Sequence, residues 1–90
     1  MLKLKISGQF KKDYKRCEKR GLDMETLKAV ITTLVIPKSL EPKNKDHDLK
    51  GNYMGFRECH ISPDWILIYR YSGDYLELSR TGTHSDLFKK

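Results

Sequence analysis

The five residues Trp65-Ile66-Leu67-Ile68-Tyr69 constrain this chain more than any others. They are rich in aromatic and β-branched side chains and run without polar alternation, which predicts a strand covered on both faces. Such a strand belongs in the middle of a sheet. Just before it, Ser62-Pro63-Asp64 reads as a turn, because proline presets one backbone dihedral and aspartate bonds nearby amides. His60 and Asp64 therefore flank a tight turn at one end of a rigid central hairpin. That position holds two proton-handling groups at a fixed separation.

The rest of the sheet follows from the spacing of its neighbours. Strands are predicted at Tyr53 to Ile61, Trp65 to Tyr71 and Tyr75 to Thr81, the last two joined by Ser72-Gly73-Asp74, and such short connections imply an antiparallel meander. At the N-terminus Leu2, Leu4 and Ile6 alternate with lysines, the period-two pattern of a strand with one face on a core. Ser7 can cap a helix whose Phe10, Tyr14 and Cys17 recur at helical spacing and which Gly21 ends. Asp23 can cap a second, buried through Leu27, Val30, Ile31 and Leu34 and stopped at Ile36-Pro37. The short link between them predicts an antiparallel helical hairpin on one face of the sheet. The fold class is therefore α+β, with an N-terminal strand, a two-helix hairpin and a three-stranded antiparallel meander, in a single domain spanning residues 1–90. Residues 37–52 read as a long loop, either a solvated linker or a functional segment. The tail, from Thr83 onward, reads as a last helical turn or a loop.

Eighteen lysines and arginines against twelve acids give a formal charge of +6, which suits a polyanionic partner or simply a solvated surface. No apolar run approaches the roughly 20 residues of a membrane span, so no membrane partner is expected. Cys17 and Cys59 read as ordinary buried thiols of a reducing compartment, the cytoplasm.

The three histidines, His47, His60 and His84, all fall outside the helices. In the strand that ends near Ile61, Glu58 and His60 share a face opposite Cys59 and Ile61, so a helical hairpin on the cysteine side leaves His60 on the open face. Arg80 ends the row of Leu76 and Leu78, where it can anchor a carboxylate or a phosphate. Connectivity alone sets the end of the last strand at the opposite edge from the Ser62 to Asp64 turn, so it does not bring His84 to His60. Three chemistries compete. A metal could use His47, His60, His84 and Asp64, but close paired spacings such as HxxxH or CxxC are absent, and no metal or small-molecule cofactor is expected. The histidines could be ordinary sheet and loop residues. The third option is cleavage of RNA, which needs a base for the ribose 2′-hydroxyl, an acid for the departing 5′-oxygen, cations for the charged transition state and an aromatic to stack on a base.

Read together, Asp46-His47-Asp48-Leu49-Lys50-Gly51, Phe56-Arg57-Glu58-Cys59-His60-Ile61, Pro63-Asp64-Trp65 with the strand after it, Arg80-Thr81-Gly82-Thr83-His84 and Leu87-Phe88 resemble the YafQ-type toxins of bacterial toxin-antitoxin systems, in the RelE/ParE superfamily. The likeness runs over nearly the whole chain. It implies a RelE-like compact microbial RNase-type fold and a ribosome-dependent endoribonuclease that cleaves messenger RNA without a metal and is silenced by a cognate antitoxin. By that resemblance His47, His60, Asp64 and His84 occupy the family's functional ionisable positions and are the catalytic candidates. Phe88, Trp65, Arg80 and Lys50 are the substrate-binding candidates, with packing an equal alternative for Trp65. The competing expectation is a non-catalytic nucleic-acid or protein-binding module of the same fold. ParE-like inhibition of gyrase stands third, since it gives no reason to keep His47, His60 and His84 together.

Overall fold

In a computed structural model of the chain, residues 2–36, 47–48 and 55–88 are described, the pair 47–48 by its backbone alone. Strand β1 covers Lys3–Ile6, and helix α1, Gly8–Lys19, starts where the Ser7 hydroxyl accepts the Phe10 N–H at 2.9 Å. The same hydroxyl donates to the Ser79 carbonyl at 2.8 Å, so the cap also ties α1 to the sheet. Gly21, at φ +80°, closes α1 with its N–H on Glu18 and the Leu22 N–H on Cys17, the paired bonds of a left-handed helix stop. Helix α2, Met24–Val35, starts at Asp23, whose carboxylate accepts the Glu25 N–H.

Strand β2 is the pair His47–Asp48; β3 is Arg57–Ser62, β4 Trp65–Ser72 and β5 Tyr75–Thr83, and helix α3, His84–Phe88, follows directly. The sheet order is β1-β5-β4-β3-β2. As the hydrophobic run requires, β4 is the middle strand. Its five residues from Trp65 to Tyr69 are all buried. Both hairpins close over two residues, Ser62 facing Trp65 and Ser72 facing Tyr75. At the second, Gly73 supplies the positive φ that matches the strand twist.

Alternation along the strands divides the core in two. Cys59, Trp65, Leu67, Tyr69, Leu76 and Leu78 pack against Phe10 and Cys17 of α1 and Leu27, Val30 and Leu34 of α2. On the other face the buried apolar residues among those described are Ile66, Ile68 and Leu87, with Phe56 and Phe88 beside them. Cys17 and Cys59 are free thiols within the larger core.

Three features differ from the sequence reading. The first strand takes an edge of the sheet as a parallel partner of β5, Lys3 facing Tyr75 and Ile6 facing Leu78, a pairing its alternation alone does not specify. Its apolar side is not covered: Leu4 is 45% and Ile6 41% exposed. They line a groove of about 620 Å³ with Phe10, Tyr14, Ile31 and Leu78, rimmed by Lys11, Lys15 and Lys28. The third difference is β2, a two-residue strand at His47–Asp48 inside the segment read as a loop, while the tail takes the helical one of its two expected forms.

Candidate active site

β5 runs antiparallel to β4 and Thr83 faces Trp65, so the end of β5 comes back to the turn between β3 and β4. The expectation that these two chain segments lie at opposite edges is therefore wrong, because an antiparallel return along β4 ends where β4 began, and the length of β5 completes the approach. Extended through Thr83, it spans the full height of β4 and delivers α3 beside Asp64.

At that junction the His84 ring is held from both sides. Its Nδ1 lies 2.8 Å from Asp64 Oδ1, which also accepts the His84 backbone N–H at 3.2 Å. Its Nε2 lies 3.3 Å from Glu58 Oε1. A doubly protonated ring donates to both carboxylates at once. The Asp64 carboxylate is exposed, and its hydrogen bonds from His84 hold its pKa below the ordinary value. Glu58 is different, because only 6% of its side chain is exposed. A buried carboxylate beside an imidazole strengthens any positive charge placed between them.

His60 completes the cluster. It sits across from Ile66 on β4, on the face away from the helices, with its ring centre 5.6 Å from that of His84. The Phe88 ring lies 6.2 Å from His84 on the other side, one helical turn along α3. The parity of β3 thus places His60 as its sequence suggests. The same parity carried Glu58, two residues earlier, to the same place, and that acid was missed as a member of the site although the alternation was legible.

The remaining candidates are placed differently. His47 stands in β2 opposite Glu58, while its side chain lies outside the described residues. Lys50 lies outside them altogether. Trp65 is only 4% exposed and belongs to the helix-side core, with its indole N–H given to Thr81 Oγ1 at 2.9 Å. The geometry favours packing for it. Arg80 does anchor a carboxylate: its Nε lies 2.6 Å from Asp13 Oδ2, and its Nη2 donates to Asp13 Oδ1 at 3.2 Å. Asp13, 1% exposed, also accepts from Gln9, Arg16 and the Thr81 N–H, so a charge in the core is fully surrounded by donors. A register shift between Leu78 and Arg80 breaks the simple alternation of β5 at that point.

A metal ion could find ligands here. Glu58, His60 and His84 each offer one ligand atom, all within 4.8 Å of one another. This set shares His60 and His84 with the four suggested by sequence, takes in Glu58 and leaves out Asp64, while the His47 side chain lies outside the described residues.

Residues 2–89 match the family described as "Bacterial toxin of type II toxin-antitoxin system, YafQ". The chain belongs to the YafQ toxin family. It is 44% identical over 88 residues to the mRNA interferase toxin YafQ of Escherichia coli strain K12, covering 94% of each chain. Its fold matches a metal-bound toxin from Helicobacter pylori with a TM-score of 0.92 at 43% identity, over 98% of this chain and all of the other. It also matches YafQ in the crystal structure of the Escherichia coli DinJ-YafQ complex, with a TM-score of 0.90 at 43% identity over 98% and 99% of the two chains. The α+β architecture of the YafQ family is thus the architecture of this chain, and the His84 cluster is set on its open face.

Proposed function

We propose that this toxin is a cytoplasmic, ribosome-dependent endoribonuclease that cleaves messenger RNA by general acid-base chemistry at His84 and His60. The observation that carries the reading is the His84 ring bracketed by Asp64 and Glu58, with a second imidazole beside it. Asp64 fixes the ring through Nδ1 and leaves Nε2 as the working nitrogen. In the reaction, a base takes the ribose 2′ proton, the 2′-oxygen attacks the neighbouring phosphorus, and the bond to the 5′-oxygen breaks as that oxygen receives a proton. His84 Nε2 gives the proton. His60 and His47 are the candidates for taking the other, and Phe88 offers a ring on which a base can stack. Lys50 and Arg80 are the candidates for phosphate contact, Arg80 with its guanidinium already set by Asp13.

The name of the Escherichia coli relative supports messenger RNA as substrate, and the DinJ complex supports a cognate antitoxin as partner. The groove between β1 and the helices suits such a partner. Exposed Leu4 and Ile6 ringed by Lys11, Lys15 and Lys28 fit an amphipathic segment with an apolar stripe and acidic flanks. That groove is lined by β1, β5 and the two long helices, whereas His60 lies on the sheet face turned away from them.

Mapping of new 5′ ends on translated and untranslated messages after induction tests the reading. Wild type should cut translated messages only, and His84→Ala and His60→Ala should not. Cuts on untranslated RNA overturn ribosome dependence. Salt-sensitive RNA binding by a wild-type protein that leaves every message intact would establish the binding-module alternative instead.

A further inference from the structure

Helix α3 carries His84 and Phe88 but has only five residues, far too few to be stable alone. One buried side chain, Leu87, seats it on Ile66 and Ile68. Phe88 adds a partly buried contact and Asp64 holds the His84 ring directly, so a further constraint is needed only on the orientation of the short helix that carries the ring.

Asp86 supplies that constraint. Its Oδ2 accepts the Thr83 N–H at 3.0 Å while its own N–H donates to Thr83 Oγ1 at 3.1 Å, a reciprocal cap at the start of α3. The same carboxylate is gripped by Arg20, with Nη1 at 2.6 Å from Oδ2 and Nη2 at 3.0 Å from Oδ1. Two parallel bonds from a planar guanidinium fix orientation as well as distance. Arg20 is itself fixed, since it terminates α1 with its N–H on the Arg16 carbonyl. Gly82 makes room for the arrangement: at φ +153° a Cβ there would stand 3.0 Å from Asp86 Oδ2 and 3.2 Å from Asp86 Cβ. Three separate residues thus converge on one carboxylate two positions from His84.

We propose that Arg20 and Asp86 are positioning residues for RNA cleavage, a clamp from α1 to α3 that holds the His84 ring between Asp64 and Glu58. The proposal rests on the reading of His84 as a proton-transfer group. Neither clamp residue touches substrate; each acts through the orientation of α3. Arg20 belongs to a basic row with Lys12, Lys15, Arg16 and Lys19, but unlike a cation reserved for phosphate it presents both terminal nitrogens to Asp86.

The test combines cleavage kinetics on programmed ribosomes with the side-chain nitrogen NMR signals of His84 in the free toxin, for wild type, Arg20→Ala, Arg20→Lys, Asp86→Asn and His84→Ala. Arg20→Ala should lower kcat on the order of 10- to 100-fold, as expected for a misaligned catalytic group. Its half-saturating ribosome concentration should stay unchanged, and the His84 ring signals should move as the Asp64 contact loosens. Arg20→Lys should recover part of both effects, and Asp86→Asn, which keeps the side chain's size, should show a smaller version of them. Near-UV circular dichroism matching wild type confirms that the fold is intact. Unchanged His84 signals in Arg20→Ala overturn the clamp, and a raised half-saturation with those signals unchanged would make Arg20 a ribosome contact. His84→Ala cleaving at the wild-type rate would instead remove the reading on which the clamp rests, whatever Arg20→Ala does to the ring signals.

Discussion

The two faces of the sheet do different work. Toward the helices, Leu27, Leu67, Tyr69 and Leu76 are wholly buried, within a core drawn from α1, α2 and the three strands β3, β4 and β5. Away from them the buried apolar residues among those described are Ile66, Ile68 and Leu87, and around this small patch stand the buried Glu58 with His60, Asp64, His84 and Phe88. One β4 strand serves both faces, its side chains alternating between them. A rigid strand can therefore place ionisable groups without depending on the polar face for stability. That arrangement expects mutations to separate cleanly, activity from one face and stability from the other.

The largest separation should come from His84→Ala. It should slow cleavage by about 10²-fold or more and leave the urea unfolding midpoint close to wild type, because the ring is 39% exposed. A large loss of stability would break the contrast. Leu27→Ala is the reciprocal case. It should cost about 2 to 5 kcal/mol of folding free energy by urea denaturation, while each molecule that remains folded cleaves normally.

Glu58→Gln tests the one site residue that is both buried and polar. Losing the carboxylate that faces His84 Nε2 should lower cleavage by roughly tenfold. An unchanged rate would restrict Glu58 to packing. A smaller effect is expected at the join between the faces and α1, where Ser7→Ala removes the helix cap and should cost about 1 kcal/mol in a thermal or urea melt.

The smallest effect should appear on acidification. Hydrogen bonds from Arg20 and Thr83 hold the Asp86 carboxyl well below the usual carboxylate range, despite partial burial. Its folded pKa lies below its unfolded one, so its contribution to stability is complete above the ordinary pKa of about 4 and fades as pH falls toward the folded value. Asp64, lowered by His84, acts in the same direction. Urea midpoints between pH 5 and 3 should therefore fall less for Asp86→Asn than for wild type. Equal slopes would mean that α3 adds nothing to acid sensitivity.

Much of this architecture is legible in local sequence chemistry. Ser7, Gly21 and Asp23 bound the two helices where their side chains and dihedrals predict, and the alternation of β3 sends His60 away from them. What local pattern does not contain is pairing between distant segments. The parallel contact of β1 with β5, the two-residue strand at His47 and the approach of His84 to Asp64 all depend on partners far along the chain. Asp13 shows the limit most plainly. On a strongly basic helix it reads as one more surface charge, and only Arg80, arriving from β5, makes its burial tolerable. The groups of the site lie on separate segments for the same reason, so their residue types were readable but their meeting, with Glu58 among them, was not.

The pairing of Lys3 with Tyr75 and Ile6 with Leu78 bears on the order of events during synthesis. Translation is vectorial and takes seconds to produce a domain of this size. For that time β1 and the two helices exist without the strand that β1 must lie beside, and the helices lack the surface they cover. Sheet closure waits for β5, and His84 follows β5 immediately in the chain. The His84 cluster therefore cannot form until β5 and α3 have both been made, after every other element of the sheet.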